Sequence, residues 1–256
     1  MYIHLIVYSR ISGKKFAYQY VTKNVKQLSK IRKLILENAE KCDNYDFSMH
    51  TLQTDENSFE SVVKLDPYFK DSTVFTDIES FFKSLNDSSK LTALDVGSYL
   101  LRKFSLNSFP LQKILYYIYA DYLEQFKEPL FEAKFEAWNH GPVEHDVYTK
   151  YKHDQPKLLK SVAFEQKISN SSNQIDLIRF INSEEIKYAP YYGEDAWESN
   201  DKNLTHKANT PWSRARDRDD NNENITDEDI LNYHYIEKAW LIVLYLYEKG
   251  YTYGFS

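Results

Sequence analysis

The chain has 256 residues, 42% of them hydrophobic and 27% charged, which is typical of a globular protein and argues against a disordered one. Cys42 is the single cysteine, which excludes an intrachain disulfide and a zinc site built from several cysteines. The net charge of −6 is uneven, since residues 1–90 hold 13 Lys and Arg against 12 Asp and Glu while the rest holds 19 against 26, and this contrast favours two domains with different partners.

The first 89 residues predict a small α/β unit that begins with a hairpin. Ile3 to Tyr8 and Lys15 to Val21 are rich in β-forming residues, and Gly13 lies in the turn between them. Thr22 or Asn24 could then cap a helix that runs to about residue 39. The apolar positions of this helix have helical spacing and predict its buried side: Val25, Leu28, Ile31 and Ile35.

The same helix is expected to carry a stripe of lysines. At 100° per residue, Lys23, Lys26, Lys30 and Lys33 lie opposite the apolar positions. Such a stripe could contact the phosphates of a nucleic acid or an acidic partner. The commoner alternative is the solvated face of an amphipathic helix, and the acidic net charge of the chain counts against nucleic acid as the main ligand.

A third strand is expected from Tyr45 to Leu52, and a short helix from Asp77 to Leu85. The polar stretch Asn86 to Ser89 then marks the predicted end of the unit. We therefore predict an N-terminal α/β extension over residues 1–89 and a mostly helical domain over residues 90–256. Together they make an α+β fold.

The helical pattern begins with Thr92, which can cap a helix to about Phe104. Pro110 suits the first turn of the next helix. That helix has the clearest periodicity in the chain, an apolar stripe formed by Leu111, Ile114, Leu115, Ile118, Tyr119, Tyr122 and Leu123. We expect it to be the central helix of the core.

The chain after this helix is predicted to form a strand or an extended segment from Phe131 to Trp138 and a short helix from Pro142 to Lys152. Gly141 and Pro142 would make the sharp turn between them. A last helix is expected from Thr226, its N-cap, to about Lys249. Its predicted buried side consists of Ile236, Trp240, Val243, Leu244 and Tyr247.

No motif in the sequence supports catalysis. The HExxH, Gly-rich phosphate-binding, GxSxG and EF-hand patterns are absent. His140 and His145 are five residues apart, so they do not share a helix face as an i, i+4 pair does. We therefore expect a protein that is not an enzyme and that needs no metal or other cofactor.

Two segments combine a sharp turn with large aromatic residues. Trp138 precedes Gly141-Pro142, and is either a core residue beside a turn or an exposed binding feature. Pro211-Trp212 makes a rigid corner followed by Arg214 and Arg216. Trp and Arg are the residue types that dominate binding hot spots. The alternative for this second segment is a loop whose arginines, Arg218 included, pair with the acidic residues 217–223.

Four motifs follow one another in the chain: Pro110 to Tyr117, Glu128 to Phe131, Ala137 to Val143, and Leu204 to His206 with Pro211-Trp212 and Ala215-Arg216. Their order resembles the Panacea domain antitoxin family over about residues 91–235. Its characteristic positions here are Gln112, Lys113, Trp138, Gly141, Pro142, Val143, Thr205, His206, Pro211, Trp212 and Arg216. The resemblance implies a mostly helical domain that neutralises a toxin encoded beside it by direct binding, without catalysis. Residues 160–203 match the family pattern only loosely, and His140 stands where an aromatic residue is common, so the partner is left open.

These observations predict an antitoxin that binds a cognate toxin from an adjacent gene. The resemblance and the two turn segments together select the predicted partner-binding residues: Trp138, His140, Gly141, Pro142, Val143, Thr205, His206, Pro211, Trp212, Arg214 and Arg216. The alternative is an adaptor that delivers a bound protein to a protease, a role found within this family. A toxin or enzyme within residues 1–90 is a third hypothesis. Homo-oligomer formation and DNA binding stay open.

The N-terminus has a short apolar run, Met1 to Tyr8, without a basic start or a small-residue cleavage site, so no secretory signal is expected. The most apolar segment, Ala239 to Tyr247, is about half as long as the roughly 20 residues that a membrane span needs. We therefore expect a cytoplasmic protein that does not associate with a membrane.

Overall fold

The structure is a computed structural model, and it describes residues 1–169, 173–192, 203–219 and 222–249. The chain divides into two compact units, Met1–Lys90 with Glu165–Gln174, and Leu91–Phe164 with Ile175–Ser256. A sheet-rich N-terminal region precedes a mostly helical one, which confirms the α+β class. That residues 1–89 and 90–256 are separate domains stays a prediction. No helix within the described ranges is long and apolar enough to cross a membrane.

The first unit contains a four-stranded sheet in the order β3-β1-β2-β4. Its strands are β1 (Tyr2–Ile11), β2 (Lys14–Thr22), β3 (Ser48–Thr54) and β4 (Thr73–Phe75). The predicted hairpin of β1 and β2 is confirmed, and it is longer than expected. Its two-residue turn, Ser12-Gly13, has positive φ at both positions, as the turns that match the twist of a hairpin require.

Both faces of this sheet are covered. Leu5 and Val7 on β1 face a core shared with the helices α1 (Lys26–Cys42) and α3 (Ile78–Ser89). Their neighbours Ile6 and Tyr8 face a second core, which includes Val62 of α2 (Phe59–Leu65). Since alternate residues of a strand point to opposite faces, burial on both sides explains why this strand is almost continuously apolar.

This unit differs from its prediction in three places. The first helix begins at Lys26, so Val25 lies outside it and is 63% exposed. The helix predicted from Asp77 to Leu85 extends further, because the polar stretch Asn86 to Ser89 forms the last turn of α3. Asn44 contacts this last turn and donates hydrogen bonds to Asn86 Oδ1 (2.9 Å) and Ser89 Oγ (3.1 Å). The helix α2 and the strand β4 were not predicted.

The helices of the remaining chain are α4 (Ala93–Phe104), α5 (Ser108–Phe126), α6 (His145–Lys160), α7 (Ala163–Ile168), α8 (Gln174–Tyr188), α9 (Pro211–Arg218) and α10 (Asp227–Glu248). A small antiparallel sheet has the order β6-β5-β7, with β5 (Phe135–Trp138), β6 (Gly141–Glu144) and β7 (Asn224–Ile225). The predicted caps of α4 and α10 are confirmed, since Thr92 and Thr226 each form a capping box with the third residue of their helix, whereas α1 has Val25 at its N-cap and not Thr22 or Asn24.

The predicted central helix is confirmed as α5. Its whole apolar stripe is buried except Tyr122, which is half-buried. The burial continues around the helix and includes the polar residues Gln112, Lys113 and Asp121. An apolar stripe on one face does not predict that these three polar residues are buried. Their hydrogen bonds join α5 to other parts of the second unit, as described below.

Gly141 and Pro142 do not form the expected strand-to-helix turn. They begin β6, which pairs with β5 around a turn at Asn139 and His140. Pro142 is tolerated because β6 is an edge strand and can lack one backbone donor. The predicted helix from Pro142 to Lys152 is therefore wrong at its start, since α6 begins only at His145.

The expected buried side of α10 was also wrong. Trp240, Val243 and Tyr247 are exposed, and Ile236 and Leu244 are half-buried. The residues that enter the core are Ile230, His234 and Glu237. Two of these, His234 and Glu237, are polar. The contact of His234 with Asp121 on α5 explains the orientation of α10, as described below.

Candidate partner-binding site

The two aromatic turn segments of the sequence meet at the β5–β6 hairpin. Trp212 on α9 donates a hydrogen bond from Nε1 to the carbonyl oxygen of Trp138 (2.8 Å). Arg216, one helical turn further, donates to the carbonyl oxygen of Ala137 (3.3 Å). The ring of His206 stacks on that of Trp212 with 4.0 Å between ring centroids. We call this arrangement of residues 137–143 and 203–216 the hairpin junction.

Lys113 connects the central helix to this junction. Its side chain is 1% exposed, and Nζ donates a hydrogen bond to the carbonyl oxygen of His140. Asn203 donates to the same oxygen from Nδ2 (3.4 Å). The turn of the hairpin is therefore held from inside the protein by two side chains that lie far apart in the sequence.

Gly141 is required at the position where it stands. Its φ of +115° is one that residues with a Cβ atom rarely adopt. A Cβ atom there would overlap Nζ of Lys113 and lie 2.9 Å from Oγ1 of Thr205. The sequence pairs Gln112-Lys113 and Gly141-Pro142 are thus parts of one packing arrangement.

Gln112 fixes the other end of the hairpin. Its Oε1 accepts a hydrogen bond from the backbone N–H of Glu144 (2.7 Å), and Glu144 in turn caps α6 by accepting from the N–H of Val147 (2.8 Å). The Nε2 atom of Gln112 is buried and has no hydrogen-bond partner among the residues that the structure describes.

A pocket of about 390 Å³ opens beside the hairpin junction. Its described lining consists of Ser108, Phe109, Gln112, Lys113, Trp138, Asn139, His140, Pro142, Val143, Tyr148 and Asn222. Aromatic rings form much of the wall, and the rings of Trp138 and Tyr148 meet edge to face at 4.9 Å. None of the described lining residues is acidic. A concave, mostly apolar pocket with a few polar groups is the usual form of a binding site.

Residues 111–240, just over half of the chain, match the family model Antitoxin SocA-like, Panacea domain. The chain belongs to this family. The matched region extends from α5 into α10, so it contains the hairpin junction and most of the pocket. No curated protein and no solved structure matches the chain.

The eleven predicted partner-binding residues of the Panacea domain fall into three groups by their exposure. Four are buried in the hairpin junction: Gly141, Pro142, Thr205 and Pro211. Six are half-buried: Trp138, Val143, His206, Trp212, Arg214 and Arg216. His140 is exposed at the turn of the hairpin. The buried residues shape the site, so only the others offer surface to a partner. That they bind one stays a prediction.

Two arginines near the junction have partners that the sequence did not indicate. The guanidinium of Arg214 lies 3.8 Å from the centroid of the Tyr233 ring. Arg218 makes two hydrogen bonds to the carboxylate of Asp229, at 2.8 and 2.7 Å. The expected pairing of Arg218 with the acidic residues 217–223 was thus incomplete, because its carboxylate partner is on α10.

Burial determines the charge of the junction. Burial and the nearby positive charge of Lys113 lower the pKa of His206 to about 4, so this imidazole is neutral near pH 7. Burial also lowers the pKa of Lys113 well below its ordinary value, because an ammonium group loses hydration there. The negative charge of Glu237 opposes that shift.

The lysine stripe of the first unit is exposed, as the amphipathic pattern predicts. Lys26, Lys30 and Lys33 lie on one face of α1, whereas Lys23 precedes the helix and places Nζ 4.5 Å from the centroid of the Tyr2 ring. Lys33 forms an ion pair with Glu37 (3.6 Å). Contact of these lysines with a nucleic acid or an acidic partner stays a prediction.

A buried charge network between α5 and α10 was not predicted from the pattern of residues. His234 is fully buried, and its two ring nitrogens contact Asp121 Oδ1 (2.9 Å) and Glu237 Oε2 (2.6 Å). Burial alone would lower its pKa, but hydrogen bonds to the two carboxylates raise the pKa of His234 to about 9. An imidazolium donates from both nitrogens, which fits carboxylates on both sides. The available signal was the i, i+3 pair His234 and Glu237.

Asp121 has a full set of partners in this network. Its Oδ2 accepts hydrogen bonds from Lys187 Nζ (2.7 Å) and from the hydroxyl of Tyr188 (2.8 Å). Asp121, Glu124 and His234 are close enough together to hold a metal ion. However, the ammonium groups of Lys187 and Lys238 already neutralise these carboxylates. The arrangement therefore fits a structural ion network better than a metal centre.

Proposed function

We propose that this protein is an antitoxin that neutralises the toxin encoded by an adjacent gene through direct binding. The membership in the antitoxin-like Panacea family supports the general antitoxin role. The observation that carries the proposal is the pocket beside the hairpin junction, because it lies in the matched region and its walls are half-buried aromatic rings.

The architecture around the pocket suits recognition without chemistry. Lys113 and Gln112 are buried side chains of α5 that hold both ends of the hairpin, so the surface is formed before a partner arrives. A preformed surface loses little conformational entropy on binding. Phe109, Trp138 and Tyr148 would serve as anchors at the centre of a larger interface, since stable interfaces bury about 1,600 Å² in total.

The proposal is tested by co-expression of each antitoxin variant with the adjacent toxin, with growth as the readout. We expect Tyr148→Ala to lose growth rescue because it removes one wall of the pocket. The matched control is Tyr45→Ala, which removes an exposed tyrosine from the first unit. Full rescue by Tyr148→Ala at wild-type protein levels would contradict the role of the pocket.

The adaptor hypothesis predicts a different fate for the bound protein. An antitoxin that sequesters its toxin leaves the lifetime of the toxin unchanged or longer, whereas an adaptor that delivers it to a protease shortens that lifetime. Pulse-chase labelling of the toxin, with and without this protein, separates the two. We expect an unchanged or longer lifetime.

A further inference from the structure

Two buried polar side chains of α5 form the floor of the pocket. Gln112 is 3% exposed and Lys113 is 1% exposed. Because the backbone N–H of Glu144 donates to Oε1 of Gln112, the opposite end of that amide is fixed as a donor group. Its Nε2 has no acceptor within the described part of the chain. A buried donor without an acceptor is unfavourable, and a ligand with an acceptor group would relieve this.

The positive end of α5 lies at the same place. Ser108 and Phe109, its first two residues, line the pocket. The first backbone bond along the helix runs from Leu111 N to Asn107 O, so the N–H groups of Ser108 and Phe109 have no acceptor within the helix. Helix N-termini with such groups attract anions, and this helix has 19 residues.

The remaining lining matches an anionic guest with apolar surroundings. The described lining contains Lys113 and His140 but no Asp or Glu. Nζ of Lys113 lies 5.1 Å from the centroid of the Phe109 ring, so this nitrogen donor lies beside the aromatic wall. Trp138 and Tyr148 complete that wall, and both rings are half-buried.

We propose that the pocket binds an aspartate or glutamate side chain of the toxin, whose carboxylate accepts from Nε2 of Gln112, lies near Nζ of Lys113 and is attracted by the N-terminus of α5. Residues that flank this acid in the toxin would pack against Phe109, Trp138 and Tyr148. A side chain is the fitting source, because the donors lie on the floor while the rings form the rim. The inference rests on the proposed function and identifies the chemistry that the same site recognises.

The binding is tested on the full chain by NMR with three peptides. The first is acetyl-Phe-Glu-Phe-amide, the second carries Gln in place of Glu, and the third carries Gln but has a free C-terminal carboxylate. We expect the Glu peptide to bind with a Kd of about 1 mM and at least about ten times more tightly than either Gln peptide. The side-chain amide signal of Gln112 should shift on binding.

Variants of the protein locate the carboxylate. Gln112→Glu keeps an acceptor for the N–H of Glu144 but replaces the free donor with a negative charge, so affinity for the Glu peptide should fall at least about tenfold. Gln53→Glu makes the same change at an exposed residue of β3 and should bind as the wild type does. If Gln112→Glu melts early, Val143→Glu supplies the same repulsion from a half-buried wall position.

Equal binding of the Glu and Gln peptides would overturn the inference, because the pocket would then recognise apolar groups alone. Preference for the free C-terminal carboxylate, or no binding of any peptide at 10 mM (about ten times the expected Kd), would also overturn it. If the peptides fail while the wild-type protein still rescues growth from the toxin, the inference is wrong and the proposed function stands. If the wild-type protein does not rescue growth, the proposed function itself is wrong.

Discussion

Lys113 and Gly141 occupy one small volume, with Nζ of the lysine at the place where a side chain at position 141 would begin. The carbonyl of His140, the residue before that glycine, accepts the hydrogen bond of the same Nζ. The lysine is buried to hold a hairpin turn, and the glycine is needed to admit the lysine. This pair links the central helix to the surface that we propose for binding.

Gly141→Ala should destabilise the protein strongly. It adds a Cβ atom into Lys113 Nζ and forces an L-residue to a φ of +115°, two costs that together amount to about 2–4 kcal/mol in the free energy of unfolding. Gly13→Ala is the matched control, since its φ is also positive (+83°) but no atom lies within 4 Å of a Cβ there. Urea unfolding of both variants measures the difference. Equal losses in the two would show that Lys113 does not restrict position 141.

The buried lysine should give the free energy of unfolding a positive dependence on pH. Its folded pKa is lowered and its unfolded pKa is about 10.5, so the chain releases a proton on folding between these two values. Stability from this group is therefore present above pH 10.5 and is lost as pH falls toward the folded pKa. The free energy of unfolding of the wild type, minus that of Lys113→Met, should therefore rise with pH up to about 10.5. A pH-independent difference would mean that the lysine stays charged when buried.

His234 should make the free energy of unfolding fall as pH rises, the opposite of the effect of Lys113. Its pKa rises from 6.5 to about 9 on folding, so its contribution is fully present below pH 6.5 and is lost as pH rises through 9. At about 1.4 kcal/mol per pKa unit this is about 3 kcal/mol. His234→Gln should be less stable than the wild type at pH 6 and should approach it at pH 9.5, as measured by urea unfolding. A constant difference across this range would show that His234 is neutral in the folded protein.

The pattern of residues predicted α5 and the caps of α4 and α10 because these depend on neighbours along the chain. Thr92 needs only Asp95, three residues later, to close its capping box. The buried side of α10 could not be predicted in this way. Hydrophobicity favours Trp240 and Val243 as core residues, yet His234 and Glu237 are buried because Asp121 on α5 lies opposite them.

The hairpin junction was predicted only in part for a similar reason. Trp138, Gly141 and Trp212 were singled out by residue type, but their contacts join segments that are about 70 residues apart. Pro142 after Gly141 suggested a turn, and its place on an edge strand becomes visible only with the sheet order. Gln112 and Lys113 were recognised as characteristic positions of the family. That both side chains are buried could be seen only in the folded structure.

The exposed lysines of α1 should be dispensable for folding and for neutralisation. Glu37 and Glu40 lie within about 40° of the same face, so the stripe is not a uniformly positive surface. Lys26→Gln combined with Lys30→Gln should change the free energy of unfolding by less than about 0.5 kcal/mol and leave growth rescue intact. Thermal melting and co-expression check this. Loss of rescue by a variant that melts normally would assign a partner to the stripe.

The most direct test of the central claim is the affinity of the purified protein for the adjacent toxin, measured by calorimetry. We expect a stable complex that Tyr148→Ala weakens at least about tenfold, the equivalent of about 1.4 kcal/mol, and that Tyr45→Ala leaves unchanged. Absence of any complex, or equal affinity of the wild type and Tyr148→Ala, would contradict binding through this pocket.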